Sequence, residues 1–264
     1  MSNLSNLSNL SKLSNLSPIF ADYDDDITMK KTFYLLLWIA IFAISMGFLE
    51  SAVVVYLRAI YYPEGFAFPL RTLDPGIAIT EVLREAATMI MLIAIAMITF
   101  KQAISRFAAF IYAFAIWDIF YYVFLYLLLQ WPPTLLTWDI LFLIPVTWVG
   151  PVLAPVINSM TMIFLAMIII FYKTKNELFR LTLGEWLFLF IGSVIFIFAY
   201  TQPYMQYLVT KYSFSDLLHL NRNKEFLDYT CRFIPVKFSW ILFSLGEVIV
   251  LSSIFHMIIR MKRK

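Results

Sequence analysis

Apolar residues fall in stretches of roughly 20 or more along most of this chain, separated by short segments with charges, prolines or tryptophans. About 20 apolar residues in a helix, at about 1.5 Å each, match the hydrocarbon thickness of a bilayer. The first stretch begins after Lys30 and Lys31 and covers about 32–62, where Pro63 ends it. Others cover about 79–100, about 106–130 (stopped by Trp131-Pro132-Pro133), about 152–172, about 183–200 and about 236–259. The pattern predicts an all-α polytopic transmembrane bundle of about six spans.

One apolar segment breaks the pattern. LLTWDILFLIPVTWVGP, residues 135–151, is split by Pro145 into pieces about half a membrane long, and it carries Asp139. It is expected to be a re-entrant or interfacial element, with a seven-span topology as the competing count. Ahead of the first span, residues 2–17 repeat SNLSNLSNLSKLSNLS. Leucine at every third position drifts around a 3.6-residue helix, and Ser and Asn form helices poorly, so 1–31 is expected to be a disordered tail before a membrane domain over 32–264. The tail has neither the compact apolar core nor the cleavage site of a signal peptide.

Composition agrees with the spans. The chain is 62% hydrophobic and 14% charged, against about 25% charge in soluble domains, so a lipid bilayer is its expected partner. A net charge of +3, with the basic residues in short clusters between spans, fits topology signals and not a nucleic-acid surface. The remaining partners left open are other membrane proteins or a homo-oligomer. Cys231 stands alone, and His219 and His256 are far apart. The pattern therefore offers no intrachain disulfide, zinc knuckle or bis-histidine haem, and it identifies no cofactor or metal. GxxxxGK[ST], HExxH and GxSxG are absent, as are two halves with matched broken helices.

Orientation follows from Lys and Arg. Lys12, Lys30, Lys31, Lys101, Arg106, Lys173, Lys175, Arg180, Arg260, Lys262, Arg263 and Lys264 share one side of a six-span arrangement. The other side has fewer basic residues, and most of these (Lys211, Arg222, Lys224, Arg232, Lys237) lie in a long loop, where the bias carries less weight. Both termini are expected to be cytoplasmic.

Ionisable groups inside spans are the candidates for chemistry, because each costs roughly 2.5–3.5 kcal/mol at a helix centre unless it has a partner, a proton or water. Glu50 lies beside a stripe of small residues, Ala43, Gly47 and Ser51, which suits close helix packing. Arg58 lies about 12 Å further along the same helix, too far for a direct pair with Glu50. Glu81 and Glu85 share a helix face with Arg84 between them; this is either an interfacial charge cluster or a site, with Glu85 the deeper acid. Asp118, in WDIFYY, has no charge within eleven positions on either side. Tyr121 and Tyr122 are placed to hydrogen-bond it, and Arg58 or Arg84 could pair with it across helices. Glu247 is its counterpart in the last span, His256 is expected at the interface, and Glu185 reads as a solvated acid at a helix start. The candidate polar site is therefore Glu50, Glu85, Asp118 and Glu247, supported by Tyr121 and Tyr122, with Arg58, Arg84 and Asp139 around its outer rim.

The stretches GFLESAVVVYLR (47–58), WDIFYY (117–122) and LLTWDILFLIPVTWVGPVLAP (135–155) resemble a family of uncharacterised bacterial multi-span integral membrane proteins. The likeness covers most of residues 32–264. It implies a bacterial cytoplasmic (inner) membrane setting and no activity, substrate or catalytic residue. Three function classes follow from the residues. One is transport, or binding of a small ligand or ion, at the intramembrane acids. Another is an embedded enzyme acting on a lipid-like substrate. The third is a non-catalytic subunit or assembly factor of a membrane complex.

Overall fold

The computed structural model describes residues 4–213 and 224–263, with side chains from residue 29 onward except those of 224 and 227. His219 and Arg222 lie outside the described residues. So do the side chains of residues 1–28, within the stretch expected to be a disordered tail. The backbone of α1 runs Leu4–Tyr61, and its membrane-length part is Met29–Tyr61. Next come α2 (Pro75–Thr99), α3 (Ala103–Leu129), strands β1 (Trp138–Phe142) and β2 (Trp148–Pro151), and α4 (Leu153–Lys175). The chain continues with α5 (Leu183–Leu208), the short α6 (Lys224–Cys231) and α7 (Trp240–Lys262).

Among the described residues six helices, all but α6, are long and apolar enough to cross a membrane. The protein is an all-α, multi-pass membrane protein. Even in α3, the most enclosed span, only half of the most apolar window is buried, and in α2 the share is 22%. Large apolar side chains such as Ile90, Ile98, Phe190, Ile241 and Val248 point outward. A surface of that kind is stable against lipid tails and not against water.

Helix ends follow local chemistry. Asp74 caps α2 by accepting from the Gly76 N–H at 2.9 Å, with Pro75 at the first helical position, where its missing N–H costs nothing. Gln130 ends α3 in a left-handed conformation (φ 53°), its N–H bonded to the Tyr126 carbonyl. The predicted span limits shift by a few residues, most of all in α5, which continues past Pro203 to Leu208.

Close crossings use small residues. On α1, Gly47 meets α3 so tightly that a Cβ would lie 3.0 Å from the Trp117 carbonyl oxygen and 3.1 Å from the Tyr121 nitrogen. Ser51, on the same stripe, donates to the Tyr121 carbonyl at 2.9 Å. Gly192 on α5 and Gly246 on α7 do the same for that pair.

The 135–151 segment is an antiparallel β-hairpin, pairing Trp138 with Pro151, Asp139 with Gly150 and Ile140 with Val149, with a bulge before Phe142. Irregular backbone at membrane depth needs internal partners. Here the strands supply each other's, and the hairpin lies on α4 and α5 with Trp148 stacked on Tyr200. Its end of the bundle, called the hairpin end below, also holds the C-terminal ends of α1, α3 and α5. The opposite, terminal end is filled by apolar packing that includes Ile39, Leu92, Ala108, Ile169, Ile254 and Met257.

Candidate functional site

The hairpin end contains a cavity of about 390 Å³ bounded by α1, α2, α3, the β-hairpin, the end of α5 and the end of α6. Exposed Arg71 and Thr72 and half-buried Leu73, in the α1–α2 connection, are part of its wall, which places its mouth at the loops. Glu50 lies about 16 Å below the end of α1, Glu85 about 15 Å below the start of α2 and Asp118 about 16 Å below the end of α3, at about 1.5 Å per residue. All three are in the cavity wall.

Two charged groups organise that wall. Arg84 is gripped from two sides. Its Nε and Nη2 donate to the two Glu81 carboxylate oxygens at 3.0 and 2.6 Å, and its Nη1 donates to Glu50 on α1. The fork geometry of guanidinium favours such bidentate contacts. Arg58 instead lies flat against aromatic faces, 3.8 Å from the Trp131 ring centre and 4.5 Å from that of Phe66. Its Nη2 is 3.7 Å from Asp139 on β1, to which the Tyr122 hydroxyl donates at 3.2 Å. Asp139 is 2% exposed. Burial pushes its carboxyl up to about 6, against the pull of the Arg58 guanidinium and the hydrogen bonds from Ile140 and Tyr122.

Glu85 and Asp118 differ from the other acids of the wall. Glu85 accepts the Leu143 N–H of the hairpin at 3.0 Å and thereby ties α2 to it. Asp118 accepts from the Ser159 hydroxyl of α4 at 2.8 Å. Among the described residues neither has a basic side chain within 4.0 Å. Trp117, one residue before Asp118, is also in the wall, and its buried indole N–H has no acceptor.

Several expected contacts fall elsewhere. Tyr122 donates to Asp139 rather than to Asp118, because the hairpin brings that carboxylate over the end of α3. Asp118 pairs with Ser159 and with neither Arg58 nor Arg84, whose guanidinium groups are held by other acids. Arg58 and Asp139, expected at the outer rim, are buried in the cavity wall, where the hairpin meets α1. Glu247 is outside the cavity. It accepts from Thr161 on α4 at 2.9 Å, and its second oxygen is buried without a partner.

Glu185 is not a solvated acid. It is 1% exposed, closes a capping box with Thr182, and takes Arg260 at 2.9 and 3.0 Å and His256 at 3.1 Å. The cluster fastens the start of α5 to the end of α7 at the terminal end. Sequence reading also missed Tyr204 and Cys231 in the cavity wall and Trp131 beneath Arg58. Tyr204 lies on the part of α5 beyond its expected end, Trp131 just after α3 and Cys231 at the end of α6, so none of them falls inside an expected apolar run.

Among the described residues, no group of three His, Cys, Asp or Glu side chains could hold a metal ion. The cavity's chemistry is that of charged and aromatic groups around a small open volume. Comparison with protein-family models, curated proteins and solved structures finds no match for this chain.

Proposed function

We propose that this protein binds a small ligand in the hairpin-end cavity and that transport across the membrane is the use of that binding. One observation carries the reading: ionisable side chains from α1, α2, α3 and the hairpin line one cavity of about 390 Å³. Structural acids that only hold helices together would be paired and packed, as Glu185 is. The packed apolar terminal half supports access from the hairpin end alone in this conformation. With both termini cytoplasmic in a bacterial inner membrane, the mouth faces outward. Glu50, Glu85, Asp118, Tyr121 and Tyr122 form the site, with Arg58, Arg84 and Asp139 fixing its walls, and Glu247 lies apart from it.

The single cysteine gives a direct test, because half-buried Cys231 belongs to the cavity wall. A membrane-impermeant maleimide should label Cys231 in right-side-out vesicles and slow ligand binding by occupying the cavity. Labelling only after the vesicles are inverted would reverse the orientation. Full labelling without any effect on binding would remove the cavity as the site.

A further inference from the structure

We propose that the cavity's ligand is a small organic cation, an ammonium group on an apolar body; this rests on the reading of the cavity as a binding site. Charges in the cavity wall do not balance. Five acids line it, Glu50, Glu81, Glu85, Asp118 and Asp139. The arginines there are engaged in ways that leave little for an anion. Arg84 is held by Glu50 and Glu81, and Arg58 lies between Asp139 and two aromatic rings. Arg71 is exposed at the mouth. The unmatched valence is therefore negative, and it sits at Glu85 on α2 and Asp118 on α3. Each has one neutral hydrogen-bond donor and, among the described residues, no basic group within 4.0 Å, although Arg84, held by Glu50 and Glu81, also attracts Glu85.

A carboxylate inside a span needs a partner, a proton or water, and the open volume beside these two gives a cationic partner room to bind. The remaining wall favours an organic cation over a bare metal ion. No third metal-ligating side chain joins the two acids among the described residues. Tyr61, Trp117, Tyr121 and Tyr204 line the cavity as well, and aromatic side chains attract ammonium groups and accommodate an apolar body.

The test uses the full chain in nanodiscs and three probes of one shape or size: benzyltrimethylammonium, its uncharged isostere neopentylbenzene, and the anion benzenesulfonate. Calorimetric titration should give the cation a dissociation constant at least tenfold below those of the other two, about 1.4 kcal/mol. Glu85→Gln and Asp118→Asn should each weaken cation binding at least tenfold. Both variants keep the acceptor oxygen for Leu143 and Ser159, so their thermal unfolding should stay near that of the parent. Glu64→Gln, an exposed acid at the same end and outside the cavity wall, should leave binding unchanged.

Equal or better binding of the neutral or anionic probe overturns the cation assignment and leaves the cavity reading standing; equality of cation and neutral probe means that the two acids hold protons. An equal loss in Glu64→Gln also overturns the assignment, because it reports surface charge. Failure of all three probes to bind the folded protein overturns both.

Discussion

Replacing Arg58 by Gln should destabilise the protein strongly at pH 8 and weakly at pH 5, because Asp139 can exchange its arginine for a proton. With Arg58 present, the carboxyl of Asp139 titrates at about 6, above its ordinary 3.8. The sign follows from the direction of that shift. An acid whose folded pKa is raised binds more protons folded than unfolded, so its ionisation lowers stability as pH rises from about 4 through the folded pKa. Removing the guanidinium deletes the main opposing charge. An opposite charge within a few ångströms is worth about 1–3 pKa units, so the folded pKa in the variant moves to roughly 7–9. At about 1.4 kcal/mol per unit, the cost is approximately 1.4–4 kcal/mol once both proteins are deprotonated, in full only above the variant's raised pKa.

At pH 5 both proteins hold the proton and this cost vanishes. What remains is the loss of the Arg58 contacts with Trp131 and Phe66, at 3.8 and 4.5 Å. Those are worth about 0.5–2 kcal/mol and do not depend on pH. SDS-induced unfolding of both proteins, followed by tryptophan fluorescence from pH 5 to 9, measures the gap. It should open between pH 6 and 9, and Asp139→Asn in the Arg58→Gln background should flatten it. A gap of equal size at pH 5 and pH 9, or one that Asp139→Asn leaves in place, would refute the coupling.

Substitutions at small residues and at the terminal-end cluster test the packing. Gly47→Ala should cost about 1–3 kcal/mol, because its Cβ would press on the backbone of α3 and not on a side chain that can turn away. Gly184→Ala, in the first turn of α5 with nothing within 4 Å, should be neutral or stabilising by up to about 1 kcal/mol in the same unfolding assay. Glu185→Ala should cost about 3 kcal/mol or more, since it strands Arg260 and uncaps α5, whereas Glu177→Ala, exposed in the neighbouring loop, should fall within about 0.5 kcal/mol. Equal effects at Glu185 and Glu177 would remove the terminal-end cluster as a fastening.

What the sequence made legible tracks how local the physics is. Six spans follow from hydrocarbon thickness alone, a property of each run by itself, and the six membrane-length helices lie where those runs do. The stripe of Ala43, Gly47 and Ser51 is also local, and it meets α3 as small residues at a crossing should. The hairpin was legible only as an exception. A run too short to span and broken by Pro145 says that its backbone must find partners without saying that the two halves find each other. From that missing pairing follow the misplaced partners: Asp139 takes Arg58 and Tyr122 because β1 lies over α1 and α3.

Glu185 shows the converse error. The Thr182-x-x-Glu185 spacing marks a helix start whether the acid is wet or buried, and burial was decided by Arg260, 75 residues later. The same reasoning separates the intramembrane acids. Composition sets the cost of a carboxyl group in a span, but its role depends on which opposite charge another helix delivers. Glu50 receives Arg84, and its charge is spent on joining α1 to α2. Glu85 and Asp118 receive only neutral donors, because the arginines within reach are already held. A charge left unmatched beside open volume needs something from outside the chain. These two residues are accordingly where the search for a ligand should begin.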